Sequence, residues 1–92
     1  MPDVRALAAA YGVRIEIADL GDWGGARLIA EYDPEGPTIR LNARELAAGG
    51  PEADRAIAHE LYHHREAIGE VARVRDHLAR ERAADAFAAT FG

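Results

Sequence analysis

Apolar residues near the start of the chain recur at helical spacing. Positions i, i+3, i+4 and i+7 of this segment are all apolar: Val4, Leu7, Ala8 and Tyr11. These positions lie on one face of a helix and form a stripe that can be buried. The pattern predicts a first helix over residues 2–11.

An alternating pattern follows this helix. Residues 13–17, V-R-I-E-I, alternate apolar and polar side chains, which predicts a half-buried strand. A glycine-rich loop at residues 19–25 comes next. Two further strands are expected at residues 26–32 and 38–41, and the proline- and glycine-containing turn at residues 33–37 predicts that they form a hairpin.

Helical signals return in the second half of the chain. Asn42 followed three positions later by Glu45 has the form of a capping box and predicts a short helix over residues 43–48. Pro51 suits the first position of a helix, and acidic residues follow it in the first turn. We therefore expect a longer helix over residues 51–68.

Gly69 interrupts the helical pattern, which then resumes over residues 70–90 as one long final helix. The order is one helix, three strands and then helices. This order predicts an α+β fold in which a small twisted three-stranded sheet packs on the later helices. We expect residues 1–92 to form a single domain.

Composition excludes several classes of protein. The chain has 92 residues, of which 49% are hydrophobic, enough for one modest core. It contains no cysteine, so disulfides and cysteine-based zinc sites are excluded. The net charge of −5 argues against direct binding of nucleic acid. No signal peptide or membrane-length apolar run is evident, so we expect a cytoplasmic protein without a membrane partner. The oligomeric state stays open.

The helix predicted over residues 51–68 contains the pattern H-E-x-x-H, formed by His59, Glu60 and His63. Residues four apart lie one turn apart on the same face of a helix. His59 and His63 can therefore offer two imidazoles to one metal ion, with Glu60 beside them as a proton acceptor. The alternative is a solvated helix face with surface histidines.

A catalytic zinc ion needs a third protein ligand and leaves its fourth position to water. Without cysteine, this ligand must be a histidine, a glutamate or an aspartate. Six such residues follow His64 in the sequence and are the candidates: Glu66, Glu70, Asp76, His77, Glu81 and Asp85. Glu66 shares a helix with His59 and His63, whereas a ligand that closes a tetrahedral site usually comes from another element.

The predicted final helix favours Glu81 as this ligand. Spacings of three and four residues place six residues on one stripe: Val71, Val74, Leu78, Glu81, Asp85 and Ala88. We expect Glu81 and Asp85 to point inward with the apolar members, where a buried acid needs a partner. A metal ion would serve Glu81, and a ligand imidazole N–H would serve Asp85. His77 is the main rival ligand. The alternative for Glu81 and Asp85 is that they pair with Arg80 or Arg82 or simply lie in water.

Two motifs of this chain resemble those of the ImmA/IrrE-type metallopeptidases, formerly a domain of unknown function. Residues 58–64 read A-H-E-L-Y-H-H, and residues 81–89 read E-R-A-A-D-A-F-A-A. The family pattern is H-E-x-x-H followed, after a loop and helix, by E-x-x-A-[DN]-x-F-A. The strand that ends T-I-R-L-N at residues 38–42 is also similar to the family's strand before the active-site helix.

The resemblance implies a minimal zincin-like domain that binds Zn²⁺ and hydrolyses peptide bonds. By position, His59, His63 and Glu81 would be zinc ligands, Glu60 the general base and Asp85 the support behind a ligand histidine. Relatives often cleave transcriptional repressors, so the expected partner is a protein or peptide substrate of that kind.

The reaction also needs a hydrogen-bond donor for the developing oxyanion. Candidates for this contact or for contacts to substrate are Tyr62, His64, His77 and Tyr32. We expect Tyr62 to pack against other side chains rather than to contact the substrate, and we expect His64 to lie at the surface. Trp23 is either a core residue or a substrate contact, with the core favoured.

A second class of function is compatible with the same residues. The chain would then be a zinc-stabilised protein-binding module, or an inactive protease homologue that acts as partner of a regulator or of a toxin–antitoxin-type system. Glu60 argues against this class, because a purely structural zinc site does not need that carboxylate.

Overall fold

The computed structural model describes residues 3–21, 29–44 and 50–91. These residues form three helices and three strands, which confirms the predicted α+β class. In chain order they are α1 (Val4–Ala10), β1 (Arg14–Ala18), β2 (Ala30–Asp33), β3 (Thr38–Asn42), α2 (Pro51–Ala67) and α3 (His77–Ala89).

The three strands form one mixed sheet in the order β1-β3-β2. β2 and β3 pair antiparallel, with Asp33 opposite Thr38 at the turn, which confirms the predicted hairpin. β1 pairs with the other side of β3 in the parallel direction, with Arg14 opposite Thr38. β3 is therefore central, and four of its five residues are buried.

α1 is shorter than the helix predicted over residues 2–11, and local signals explain its ends. The Asp3 carboxylate caps the first turn by accepting hydrogen bonds from the backbone N–H groups of Arg5 and Ala6. Gly12 follows the helix with a φ of 73°, a left-handed conformation that glycine adopts without steric cost.

α2 packs across the sheet and also contacts α1 and α3. Pro51 begins the helix as predicted, and Glu52 and Asp54 lie in its first turn, where negative charge is favoured by the helix dipole. Its buried face consists largely of residues at helical spacing: Ala53, Ile57, Ala58, Leu61 and His64. With Ile39 and Leu41 of β3, this face forms the centre of the core.

α2 ends in a Schellman motif rather than a simple break. The Glu70 N–H donates to the Arg65 carbonyl at 2.9 Å, and the Gly69 N–H donates to the Glu66 carbonyl at 3.1 Å. Gly69 has a φ of 78° and supplies the left-handed residue that this motif requires.

The prediction that the final helix begins at Glu70 is wrong, because α3 begins at His77. The Asp76 carboxylate accepts a hydrogen bond from the Leu78 N–H at 3.1 Å and caps the helix there. Val74 therefore lies outside the helix, and both Val74 and Leu78 are exposed. The stripe predicted to continue from Val71 to Leu78 does not form a buried face.

Several predictions fall wholly or partly outside the described residues. These are the loop residue Trp23, the first part of the strand predicted at 26–32, and most of the short helix predicted at 43–48. Ala43 and Arg44 are described and form a turn, in which the Asn42 side chain accepts a hydrogen bond from the Arg44 N–H at 3.2 Å. Within the described ranges, no helix has both the length and the apolar character needed to cross a membrane.

Candidate metal centre

His59 and His63 lie one turn apart on the face of α2 that looks toward α3. Their ring centroids are 5.1 Å apart, and both side chains are only partly exposed. This placement follows from their spacing of four residues and from burial of the neighbouring α2 face, which fixes the direction in which the remaining residues point.

Glu81 of α3 completes a group of three potential ligands. Its Oε2 lies 2.8 Å from His59 Nε2, and its Oε1 lies 3.4 Å from His63 Nε2. One ligand atom from each of the three residues lies within 4.8 Å of the others, so His59, His63 and Glu81 could hold a metal ion. The carboxylate is contributed by a second helix, as the sequence predicted.

The Nδ1 atom of each imidazole forms a hydrogen bond with a carboxylate. His59 Nδ1 lies 2.8 Å from Asp85 Oδ1, and His63 Nδ1 lies 2.7 Å from Glu66 Oε1. An ionised carboxylate only accepts hydrogen bonds, so an Nδ1 that carries the proton donates it to the carboxylate. In that tautomer, a neutral imidazole has its Nε2 lone pair on the side of Glu81, where a metal ion could bind it.

Asp85 has the predicted partner but not the predicted burial. Its side chain is 73% exposed, so the expectation that it points inward is wrong. Helical spacing places Asp85 one turn after Glu81, where it reaches the outer edge of the His59 ring without entering the core. The hydrogen bond to His59 therefore forms at the surface.

Glu66 is the functional residue that the sequence interpretation missed in this role. Its side chain is 2% exposed, and it accepts hydrogen bonds from His63 and from the Arg80 guanidinium. Burial alone would raise the pKa of the Glu66 carboxyl, but the bonds from Arg80 and His63 hold this pKa below its ordinary value of 4.5. The spacing of three residues from His63 was a signal for this contact. Arg80, considered as a partner for Glu81 or Asp85, bonds Glu66 instead.

Glu60 lies beside the three potential ligands in a partly dry environment. Burial disfavours its charged form and raises the pKa of the Glu60 carboxyl to about 6, while the neighbouring His59 and His63 act in the opposite direction. A pKa close to neutral suits a group that must take up and release a proton at physiological pH.

A cleft of about 720 Å³ opens over this group. Its lining includes four ionisable residues of the centre: His59, Glu60, Glu81 and Asp85. Ala30, the first residue of β2, and Ile29, which precedes it, also line the cleft. The site therefore lies between one strand of the sheet and two helices, open to a molecule from solvent.

Three predicted oxyanion or substrate contacts lie elsewhere. Tyr62 packs its ring against Phe87, as expected, while His77 is exposed at the first position of α3 and lies outside the potential ligand group. The expectation that His64 lies at the surface is wrong, because His64 is buried and its Nδ1 lies 2.7 Å from the Tyr32 hydroxyl. None of Tyr62, His64 and His77 is among the residues lining the cleft.

Comparison with protein-family models, curated proteins and solved structures finds no match to this chain. The case for a function therefore depends on the residues of the cleft and on the sequence motifs that they form.

Proposed function

We propose that this chain is a zinc-dependent metalloendopeptidase with a zincin-like fold. The observation that carries the proposal is the arrangement of hydrogen bonds around the two histidines. Asp85 and Glu66 bond the Nδ1 atoms of His59 and His63, which leaves both Nε2 atoms facing the Glu81 carboxylate. Carboxylate-supported imidazoles of this kind are typical of zinc sites.

The donor set fits zinc in number and chemistry, and one of the two distances between histidine and carboxylate also fits zinc in spacing. Two imidazole nitrogens and one carboxylate are the protein ligands of a common class of catalytic zinc site, which keeps one position open. Zn–N and Zn–O bonds of about 2.0–2.1 Å in tetrahedral geometry separate ligand atoms by about 3.3–3.4 Å. The distance from His63 Nε2 to Glu81 Oε1 is 3.4 Å, whereas that from His59 Nε2 to Oε2 is shorter, 2.8 Å. A small movement of the Glu81 side chain would admit the ion.

Glu60 supplies the proton transfers of the proposed reaction. When bound, zinc supplies Lewis-acid chemistry, which makes a water molecule more acidic and a peptide carbonyl more electrophilic. The Glu60 carboxylate takes the proton from the attacking water and returns it to the leaving amine. Its position in the cleft beside His59 and Glu81 supports this role.

The start of β2 offers a place for an extended peptide. β2 lies at one edge of the described sheet, and the Asn42 N–H donates to the Ile29 carbonyl at 2.8 Å. Residues of an antiparallel pair alternate in bonding their neighbour, so the backbone N–H and C=O of Ala30 point away from β3. Ala30 also lines the cleft, and a substrate strand could pair with it there.

The substrate in this proposal is a protein or peptide, and a transcriptional repressor is the example suggested by the motifs at residues 58–64 and 81–89. Pairing through backbone groups makes few demands on side chains. Sequence preference would then come from the side chains that line the cleft on either side of the metal centre.

Substitution of Glu60 by glutamine tests the protease proposal. The assay incubates zinc-loaded protein with a proteome-derived peptide mixture and counts new termini by mass spectrometry. We expect Glu60→Gln to bind one zinc ion per chain but to lose cleavage by about 10²–10⁴-fold, the usual contribution of a general base. Glu35→Gln, in the exposed turn of the hairpin, is the matched control and should cleave like the wild type.

Two results would overturn the proposal. One is cleavage by Glu60→Gln at the wild-type rate, which would remove the general base from the reaction. The other is wild-type protein that binds one zinc ion per chain and cleaves no peptide, which would favour a zinc-stabilised binding module.

A further inference from the structure

The Glu66 carboxylate connects one histidine of the metal centre to a residue on the other helix. Glu66 Oε1 accepts a hydrogen bond from His63 Nδ1 at 2.7 Å. Arg80 donates to both oxygens of the same carboxylate, from Nε to Oε2 at 3.2 Å and from Nη2 to Oε1 at 3.2 Å. His63 and Glu66 belong to α2, whereas Arg80 belongs to α3.

The contact of Arg80 with both oxygens fixes the orientation of the Glu66 carboxylate as well as its distance from the guanidinium. The planar guanidinium bonds both carboxylate oxygens in parallel, which restricts rotation of the carboxylate. Because Oε1 is also the acceptor for His63, holding the plane of the carboxylate also fixes the direction from which the imidazole is bonded. The orientation of His63 Nε2 toward Glu81 follows from this direction.

The corresponding hydrogen bond between His59 and Asp85 holds its imidazole less firmly. Asp85 accepts a hydrogen bond from His59 Nδ1 at 2.8 Å, but its side chain is 73% exposed, and no arginine among the described residues of α2 and α3 pairs with it. The Glu66 side chain is 2% exposed. Water can replace a lost partner at Asp85, whereas loss of Arg80 would leave a buried carboxylate with one partner fewer.

We propose that Arg80 is a positioning residue for the metal centre, whose guanidinium orients His63 through its two hydrogen bonds to Glu66. This inference rests on the proposed zinc site. It assigns to α3 two separate contributions, the Glu81 carboxylate as a ligand and the Arg80 guanidinium as the support of a ligand on α2.

The quantity to measure is the affinity of each folded, metal-free variant for zinc. Zinc is titrated into each variant in competition with a chromophoric chelator, and cobalt absorption spectra report the geometry of the site. Loss of an outer contact to a metal-bound histidine weakens metal affinity by about 10–100-fold. We expect about 10-fold weaker zinc binding in Arg80→Gln and an intermediate loss in Arg80→Lys, because an ammonium cannot make the two-point contact.

Two control variants separate positioning from a general effect on charge or stability. Arg82→Gln removes an exposed arginine two positions away on α3 and should bind zinc like the wild type. Ile39→Val weakens the core at β3, at a residue that does not line the cleft of the metal centre. This variant should have a lower melting temperature but an unchanged zinc affinity and cobalt spectrum. Circular dichroism of the metal-free variants confirms that each is folded at the titration temperature.

The inference is overturned if folded Arg80→Gln binds zinc within twofold of Arg82→Gln and has the same cobalt spectrum. If Arg80→Gln does not fold, the comparison of Arg80→Lys with Arg82→Lys decides by the same criterion. Wild-type protein that binds neither zinc nor cobalt would instead refute the proposed function. The two failures are therefore distinguishable in one set of titrations.

Discussion

Removal of the Glu81 carboxylate should abolish most of the stabilisation that zinc binding gives to the fold. The three potential ligands come from two helices, His59 and His63 from α2 and Glu81 from α3. An unfolded chain does not hold them together, so the free energy of zinc binding adds to the free energy of unfolding. Glu81→Gln replaces one ionic ligand by a neutral amide of the same shape and should remove most of this linkage.

The size of the effect follows from mass action. Zinc at 100 times its dissociation constant stabilises the folded protein by about 2.7 kcal/mol. For a domain of this length, 1 kcal/mol corresponds to about 4–8 °C in melting temperature, so zinc should raise the wild-type value by about 11–22 °C. The same zinc concentration should raise the melting temperature of Glu81→Gln by less than about 4 °C, since a loss of affinity of about 100-fold leaves only about 0.4 kcal/mol of stabilisation by zinc.

Scanning calorimetry or circular dichroism melts, with zinc and with chelator, provide the measurement. Glu35→Gln makes the same carboxylate-to-amide change in the exposed hairpin turn and should keep the full zinc-dependent shift. Equal shifts in Glu81→Gln and the wild type would refute the assignment of Glu81 as a ligand.

Two further predictions concern the metal-free fold. Leu61→Ala, which truncates a fully buried side chain of α2, should lower the free energy of unfolding by about 3–5 kcal/mol in urea denaturation. Glu70→Gln should lower the melting temperature at pH 7, because hydrogen bonds from Tyr11 and Arg65 hold the pKa of the Glu70 carboxyl below its ordinary value of 4.5. A carboxyl group whose pKa is lowered by folding stabilises the protein above its ordinary pKa, and this stabilisation is lost as the pH falls through the lower pKa of the folded state. The difference in melting temperature between Glu70→Gln and the wild type should therefore shrink as the pH is lowered from 7 to below 4.5.

Each of these predictions has its own check. Leu78→Ala truncates the same side chain at a position that is 63% exposed and should change the free energy of unfolding by less than about 0.5 kcal/mol. A similar loss in Leu61→Ala and Leu78→Ala would contradict the described core. A difference between Glu70→Gln and the wild type that grows as the pH is lowered would contradict the lowered pKa of Glu70.

Local signals in the sequence predicted most of the helices and strands. Pro51 and the acidic residues after it mark the beginning of α2, and the turn at residues 33–37 predicts the β2–β3 hairpin. The order of the sheet was not accessible in this way. The parallel pairing of β1 with β3 depends on residues that are far apart in sequence, and no local pattern encodes it.

The start of α3 shows how periodicity can mislead. Val71, Val74 and Leu78 have the spacing of a buried helical face, yet the segment between the end of α2 at Ala67 and the start of α3 at His77 is not helical. Two short-range signals outweigh this spacing, the Schellman motif at Gly69 and the N-terminal cap at Asp76. Both rely on hydrogen bonds that backbone N–H groups donate to a carbonyl or a side chain within a few residues, which a pattern of hydrophobicity does not represent.

The candidate site was predictable where it depends on one helix and less so where it depends on packing. The spacing of His59 and His63 follows from helical geometry alone. The burial of His64 does not, because it requires Tyr32 from the sheet and Tyr11, whose ring centroid lies 5.7 Å from that of His64. The Glu66 contact to His63 was accessible from sequence, but its support by Arg80 appears only when α2 and α3 are packed together.

The bond between Tyr32 and His64 has a consequence for the alignment of α2 about its own axis. Successive residues of a helix differ in direction by about 100°, so fixing the direction of His64 also fixes that of His63. Tyr32 of β2 holds His64 on the sheet side, and the face bearing His59 and His63 is then turned toward α3. The phenol of Tyr32 thus acts together with the buried apolar face of α2 in setting the angle at which the helix presents its imidazoles, and α2 cannot rotate about its axis without breaking this bond.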